Sequence, residues 1–166
     1  LGLSADAICS AVKYAKCVVS QINKKMPRTH GDTVISLKKI HYTIHKSAAL
    51  ATQDKWAFEA KHIKAAQYEA QIIEDGSTIQ ASMGKSTQAG LNLLHKHKNL
   101  GIHTGCFTNP MMRLIKQGVV DNSQKSFQQG LSVASHCLGS SEMYRFIDEN
   151  PEIELHGSEW TNNPYR

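Results

Sequence analysis

The spacing of apolar residues along the chain predicts several short helices. Between residues 56 and 73 apolar positions recur at steps of three and four, which indicates an amphipathic helix that Gly76 closes. Similar but shorter patterns predict helices near residues 4–15, 87–97, 110–117 and 141–150. Pro110 stands at the start of the third of these and Pro151 follows the fourth, as expected for residues that open and stop helices.

Short runs rich in β-branched or apolar residues lie between these helices. They predict strands at residues 17–22, 33–37, 40–44, 78–82, 100–104, 131–138 and 152–156. Strands that alternate with helices at this spacing are typical of βαβ units. The sequence therefore predicts an α/β fold with open, mostly parallel sheets that are flanked by helices.

Composition limits the class of protein. The 166 residues are 40% hydrophobic and 20% charged, as in an ordinary globular domain, and no apolar run approaches the ~18 residues of a membrane span. The net charge of +5 is dispersed over several loops and is not interleaved with aromatic residues, which argues against nucleic acid as a partner. A ligand that carries several phosphates, or a basic compartment, explains this charge equally well.

The four cysteines, Cys9, Cys17, Cys106 and Cys137, have no CxxC spacing. This pattern argues against a disulfide scaffold or a zinc knuckle and favours a reducing, intracellular compartment. Closely spaced histidines such as His95 and His97 lack a suitably spaced third ligand, so no metal site is predicted.

Several motifs occur in one order along the chain. Residues 21–32 read Gln-Ile-Asn-Lys-Lys-Met-Pro-Arg-Thr-His-Gly-Asp, residues 74–80 read Glu-Asp-Gly-Ser-Thr-Ile-Gln, residues 100–104 read Leu-Gly-Ile-His-Thr, and residues 144–151 read Tyr-Arg-Phe-Ile-Asp-Glu-Asn-Pro. They resemble, in the same order, Gln-Val-Asn-Pro-Asn-Met-Pro-Arg-Thr-His-Gly-Asp, Glu-Asp-Gly-Ala-Thr-Leu-Gln, Leu-Gly-Ile-His-Thr and Tyr-Asp-Phe-Ile-Asp-Asn-Asn-Pro. These are signatures of the acetyl-CoA hydrolase/transferase family, in the branch of the 4-hydroxybutyrate and butyrate:acetate CoA-transferases.

The resemblance implies two related CoA-transferase domains, each represented in part. Residues 1–46 would end the amino-terminal domain, residues 47–54 would be a linker, and residues 55–166 would begin the carboxy-terminal domain. Because family members are much longer, we expect the chain to begin inside a longer protein. We expect a location in the mitochondrial matrix or cytoplasm. Because a piece of two domains would expose apolar surface, we also expect a homo-oligomer or part of a larger assembly.

Family members use a glutamate as nucleophile, in the sequence His-Thr-Glu-Met. This chain reads His103-Thr104-Gly105-Cys106, so Gly105 stands where the resemblance implies the nucleophile. A glycine has no side chain to attack an acyl-CoA, and Cys106 substitutes only if its pKa is lowered. The family's Gly-Ile-Gly turn and its Ser-Asp-Gly segment are also changed here, to Ser82-Met83-Gly84 and Thr108-Asn109-Pro110.

Coenzyme A is the implied ligand, with an acyl-CoA and a short carboxylate as substrates. The resemblance places the following residues at the CoA-binding cleft: Met26, Pro27, Arg28, His30, Ser82, Met83, Gly84, His103, Asn162 and Asn163. For Arg28 and His30 a structural hydrogen-bonding role is an equal alternative, and for Asn162 and Asn163 a plain turn is. We expect a CoA-transferase or acyl-CoA hydrolase with impaired catalysis. The alternative is a non-catalytic protein that keeps the fold as a CoA-binding or assembly module.

Overall fold

The computed structural model describes residues 1–165 and confirms the α/β class. The described residues contain seven strands and six helices, which alternate from residue 60 onwards, and short 3-10 turns cover Leu37–Lys39 and Leu94–Lys96. The strands are Val19–Ile22 (β1), His30–Gly31 (β2), Tyr42–His45 (β3), Thr78–Ile79 (β4), Gly101–Phe107 (β5), Ser132–Cys137 (β6) and Ile153–Leu155 (β7). The helices are Ile8–Tyr14 (α1), Ala60–Gln71 (α2), Lys85–Leu93 (α3), Asn109–Lys116 (α4), Ser141–Ile147 (α5) and Ser158–Thr161 (α6).

Five of the strands form one parallel sheet in the order β2-β7-β6-β5-β4. The two inner strands β5 and β6 are buried on both faces over most of their length, as expected for parallel strands that helices cover. Fully buried side chains such as Ile102, Phe107, Met111 and Leu155 form the core. The longest strand, β5, lies between β6 and β4 and is buried over most of its length.

Local sequence explains where the helices begin. Pro110 lies in the first turn of α4, where its missing N–H would have no helical partner in any case. The Ser140 hydroxyl caps α5 by accepting a hydrogen bond from the backbone N–H of Met143. Glu59 and His62 cap α2 reciprocally. That cap places the start of α2 at Ala60, several residues later than the apolar pattern alone predicts.

Two expected strands differ from the structure, and one helix was not expected from the sequence. Residues 33–37 form no strand, and that part of the chain leads instead into the 3-10 turn Leu37–Lys39. The strand predicted at residues 100–104 continues to Phe107, because its carboxyl half pairs with β6 at Cys106 and Phe107. Helix α6 has only four residues, which is too few for a periodic pattern to reveal.

The first 46 residues contribute strands to two separate sheets. Strands β1 and β3 form a separate parallel pair, which leaves Val19, Tyr42 and Ile44 more than half exposed. By contrast, β2 joins the edge of the main sheet beside β7, and Ala5 is fully buried in the core. The division into two domains at residues 47–54 stays a prediction.

Candidate active site

The carboxyl ends of β4, β5 and β6 lie side by side at one edge of the sheet. In open parallel sheets this edge is where ligands bind. The predicted linker is packed there, because Gln53 donates its backbone N–H to Gly139 and accepts a hydrogen bond from the Asn109 side chain through its backbone oxygen. The site therefore includes three strand ends and a segment that is remote in sequence.

Gly105 lies inside β5, on the same face as His103 because side chains alternate along a strand. A Cβ atom built on Gly105 meets no atom within 4 Å, so open space adjoins the strand at this position. The His103 side chain is held by two contacts. Its Nε2 lies 2.9 Å from the Thr161 carbonyl oxygen, and its ring stacks on Trp160 with 5.9 Å between the ring centroids. Burial lowers the pKa of His103, which favours a neutral ring.

The turn Ser82-Met83-Gly84 follows β4 and is held against β5. The Thr104 hydroxyl donates to the Ala81 carbonyl oxygen at 2.9 Å and accepts from the Ala81 N–H at 3.2 Å. The Gln88 side chain then donates to the Ser82 carbonyl oxygen at 3.0 Å. The structure therefore brings this turn beside the strand that carries Gly105, with Ser82, Met83 and Gly84 exposed.

Cys106 is a buried strand residue rather than a loop residue. Burial raises the pKa of its thiol to about 11, and a hydrogen bond with the Leu138 backbone offsets only part of that effect. Its sulfur lies 3.7 Å from the Phe107 carbonyl oxygen. A neutral, buried thiol is a poor nucleophile, so the geometry gives Cys106 no means of replacing a carboxylate.

We expect thiol reagents to distinguish the cysteines. Cys17 is exposed, whereas Cys106 and Cys137 are buried and burial raises the pKa of both thiols. At pH 7.5 iodoacetamide should therefore label Cys17 quickly and leave Cys106 and Cys137 unlabelled until the chain unfolds. Peptide mapping by mass spectrometry measures this order, with urea-unfolded chain as the control. Labelling of Cys106 as fast as Cys17 would contradict the burial of Cys106 and the raised pKa of its thiol.

Asn109 ties the loop after β5 to the loop after β6. Its Oδ1 accepts hydrogen bonds from the N–H and the hydroxyl of Ser140 at 2.9 and 3.0 Å, and it is almost fully buried. The Thr108 hydroxyl beside it is buried without a hydrogen-bond partner among residues 1–165. Asn109 therefore fixes the shape of this edge of the sheet.

The loop of residues 26–32 lies at the β2 edge of the sheet, whereas Gly105 lies on β5 near the opposite edge. Three strand spacings, or about 14 Å, separate β2 from β5. The Arg28 N–H donates to Asp148 at 2.8 Å, and its exposed guanidinium lies 3.7 Å from Glu149. Pro27 is buried, Met26 is 40% exposed, and the His30 Nε2 atom is buried without a partner in the described part of the chain.

Asn162 and Asn163 follow α6. The preceding residue, Thr161, holds His103 through its carbonyl oxygen, so the two asparagines lie near β5. The Asn163 side chain accepts a hydrogen bond from the Tyr165 N–H at 3.0 Å, which is the geometry of an Asx turn.

A polar cluster that the sequence did not suggest joins the two halves of the chain. The two ring nitrogens of His156 lie 2.9 Å from a carboxylate oxygen of Asp32 and of Glu154 respectively, and its ring stacks on Trp160 at 4.1 Å. Both contacts are hydrogen bonds when both ring nitrogens carry a proton. The alternation of Glu154 and His156 along one strand, with Asp32 at the end of its motif, is the only signal in the sequence.

Lys125 is a second buried polar residue that was not anticipated. Its ammonium donates to the carbonyl oxygens of Ile102 and Leu131 at 3.0 and 2.6 Å, and burial lowers its pKa to about 8. Its stem lies over Gly101, where a Cβ would be 2.5 Å from the Lys125 Cγ. Lys125 therefore explains the glycine at the start of β5.

Among residues 1–165, no group of three or more His, Cys, Asp or Glu side chains is arranged so that it could hold a metal ion. Within the same residues, no helix has the length and apolarity that crossing a membrane requires.

Two known proteins are similar to this chain over nearly its whole length. The chain is 34% identical over 163 residues to 4-hydroxybutyrate coenzyme A transferase of Clostridium kluyveri, which is 98% of this chain and 38% of that protein. It is also 34% identical over 163 residues to succinyl-CoA:cyclohexane-1-carboxylate CoA transferase of Geobacter metallireducens, covering 98% of this chain and 37% of the relative. The chain thus spans less than two fifths of the length of these relatives. It matches no protein-family profile.

A solved structure is also similar to this chain, in both sequence and fold. The crystal structure of 4-hydroxybutyrate CoA-transferase from Porphyromonas gingivalis superposes with a TM-score of 0.92 at 33% identity, covering 99% of this chain and 42% of that one. The likeness therefore extends along nearly the whole chain in both sequence and fold. The chain is a homologue of the acyl-CoA:carboxylate CoA-transferases and corresponds to one segment of that family's proteins.

Proposed function

We propose that this chain is part of a CoA-transferase or acyl-CoA hydrolase of the acetyl-, butyryl- or 4-hydroxybutyryl-CoA class whose catalysis is impaired. The observation that carries the proposal is Gly105, which stands where the resemblance implies the nucleophile and which adjoins open space. In the mechanism that the resemblance implies, a glutamate carboxylate attacks the acyl-CoA carbonyl and expels the CoA thiolate. The thiolate then attacks the resulting anhydride, which leaves a glutamyl-CoA thioester and a free carboxylate.

We propose that neither Cys106 nor the carboxylates of Asp32 and Glu154 take over this role. The Cys106 thiol is buried and its pKa is raised to about 11, so it carries no negative charge at neutral pH. The carboxylates of Asp32 and Glu154 contact His156. Losing a nucleophile reduces an enzyme's rate by several orders of magnitude. We therefore expect the protein to bind its ligand and to turn it over slowly or not at all.

Coenzyme A is the proposed ligand, with an acyl-CoA and a short carboxylate as the substrates of any remaining turnover. Ser82, Met83, Gly84 and His103 are the proposed contacts nearest Gly105 because they lie on β5 or beside it. Asn162 and Asn163 complete this group, since α6 packs on β5. Met26, Pro27, Arg28 and His30 are proposed to contact the remote end of the coenzyme, which a long ligand can reach. An intracellular location, in the mitochondrial matrix or the cytoplasm, is part of this proposal.

The second candidate is a non-catalytic module that acts in assembly. The exposed apolar side chains on β1 and β3 favour it, because a two-stranded parallel sheet is marginally stable without further partners. Such a module would form a homo-oligomer or part of a larger assembly.

Two measurements on the chain separate these proposals. Isothermal titration should detect binding of coenzyme A, and a coupled assay should detect no CoA exchange between acetyl-CoA and butyrate or 4-hydroxybutyrate above the uncatalysed rate. Exchange by the wild type that persists unchanged in Gly105→Ala would overturn the assignment of Gly105. Absence of CoA binding, together with a stable complex on size-exclusion chromatography, would favour the assembly module.

A further inference from the structure

A basic cleft lies between the loop that follows β1 and helix α5. Its volume is about 370 Å³, and three cationic side chains line it, from Lys24, Lys25 and Arg145. The apolar part of its wall includes Leu50, Met26 and the buried residue Tyr144. The cleft thus combines concentrated positive charge with a surface on which an apolar or ring-shaped group can pack.

Hydrogen bonds hold the loop that carries Lys24 and Lys25 in place. The Asn23 side chain donates to the Ala48 carbonyl oxygen at 3.0 Å and accepts from the Lys25 N–H at 3.0 Å. At the other end of the loop, the Arg28 N–H donates to Asp148 and the Glu149 N–H donates to the Arg28 carbonyl oxygen at 2.8 Å. Both ends are therefore anchored, and the two lysines need no reorganisation of the backbone to meet a ligand.

The α5 wall is equally fixed. The Tyr144 hydroxyl donates to the Ala51 carbonyl oxygen at 2.8 Å, which ties the linker to the helix beside Arg145. The loop that leads into α5 is tied to Asn109 through Ser140. Because Asn109 follows β5, the cleft is connected to the same end of the sheet as the candidate active site.

The charge in the cleft is unbalanced. Three cations face a single carboxylate, Asp148, one oxygen of which already accepts the Arg28 N–H. Within residues 1–165, Lys24, Lys25 and Arg145 have no ion-pair partner within 4.0 Å. Because one carboxylate balances only part of this positive charge, an anion that enters the cleft is attracted by the remainder.

The three cations depart from the family signatures that these two segments resemble. The family signatures that residues 21–32 and 144–151 resemble have proline and asparagine at positions 24 and 25, and aspartate at position 145. Here the three positions are Lys24, Lys25 and Arg145. All three changes add positive charge to one cleft, although Arg145 is about 120 residues away from Lys24 and Lys25 in sequence.

We propose that the basic cleft binds the phosphate groups of a phosphorylated ligand. The two lysines act as mobile point charges, while the planar guanidinium of Arg145 can bind two phosphate oxygens at once. Tyr144, Leu50 and Met26 contact the uncharged part of the ligand. Two sources share this chemistry: the nucleotide end of coenzyme A, and a free nucleoside diphosphate. The coenzyme A source rests on the proposed function, because Met26 and Pro27 line this cleft and are also proposed contacts of the coenzyme. Phosphate binding as such does not, because the three cations attract any phosphate group.

Isothermal titration with inorganic diphosphate tests this proposal. We expect saturable binding by the wild type, affinity that falls as salt is raised, and roughly tenfold weaker binding for each cation removed in Lys24→Ala, Lys25→Ala and Arg145→Ala. The double variant Lys38→Ala/Lys39→Ala removes two exposed lysines elsewhere and serves as the matched control. Thermal unfolding verifies that every variant is folded, as expected for exposed side chains.

Competition identifies the source of the phosphate. Displacement of diphosphate by coenzyme A assigns the cleft to the coenzyme, whereas displacement by ADP alone assigns it to a nucleotide and leaves the CoA proposal without this site; both support a phosphate site. Equal diphosphate affinity in the wild type and in the variant that combines Lys24→Ala, Lys25→Ala and Arg145→Ala would overturn the inference. So would binding of a polyglutamate peptide without any binding of diphosphate, which would indicate an acidic protein partner.

Discussion

Replacing Gly105 by glutamate is expected to convert the chain into one that forms a covalent thioester with coenzyme A. On incubation with acetyl-CoA, Gly105→Glu should gain the mass of a CoA adduct, while the wild type should not. In the assay of CoA exchange we expect a rate at least about a hundredfold above that of the wild type, because nucleophilic catalysis divides one difficult step into two easier ones.

Local structure makes this substitution feasible. The space around the missing Cβ of Gly105 is open to 4 Å, and the strand on either side is held by parallel pairing with β6. The new carboxylate would point to the face of β5 that carries His103. It would also lie on the strand whose Thr104 fixes the exposed turn Ser82-Met83-Gly84.

Matched variants separate chemistry from shape. Gly105→Gln has the same size but no nucleophilic oxygen anion, so it should form no adduct, and hydroxylamine should remove the adduct from Gly105→Glu. Adding Ser82→Gly to Gly105→Glu restores a second position of the family pattern and should raise exchange further. A folded Gly105→Glu variant that binds coenzyme A and yet forms no thioester would refute the assignment of Gly105 as the lost nucleophile.

Replacing Gly31 by alanine is expected to lower the free energy of unfolding by about 3 kcal/mol or more. Gly31 has a φ of +89°, and a Cβ there would lie 2.4 Å from the carbonyl oxygen and 2.9 Å from the nitrogen of Leu155. Because those atoms belong to the backbone of β7, no rotation of a side chain relieves the contact. The substitution would push β2 away from β7 and separate Asp32 from His156.

Two other glycines calibrate this effect. Gly130 has a φ of +77° but no atom within 4 Å of a built Cβ, so Gly130→Ala should cost about 1–2 kcal/mol from backbone strain alone. Gly105 has neither problem, so Gly105→Ala should leave stability unchanged or raise it by about 0.5 kcal/mol. Urea unfolding followed by circular dichroism measures all three. Equal losses at Gly31 and Gly130 would show that contact with Leu155 contributes nothing.

The motif of residues 26–32 shows how far the sequence reaches without the fold. The motif of residues 26–32 was visible as a family signature, yet its structural role needed the fold: Gly31 permits the close approach to Leu155, and Asp32 reaches His156. These contacts join residues more than 120 positions apart, so no local pattern contains them. Lys125 over Gly101 is a similar case, because a buried lysine resembles an exposed one in sequence.

The sequence by itself determined the α/β class, the parallel order of alternating strands and helices, and the absence of a side chain at Gly105, since hydrophobic periodicity and residue identity are local properties. Tertiary structure alone decided that Gly105 lies within a paired strand beside open space, that the Cys106 thiol is buried and its pKa raised, and that Lys24, Lys25 and Arg145 converge on one cleft. The reason is physical: desolvation, free space and summed charge depend on groups that folding brings together from distant parts of the chain.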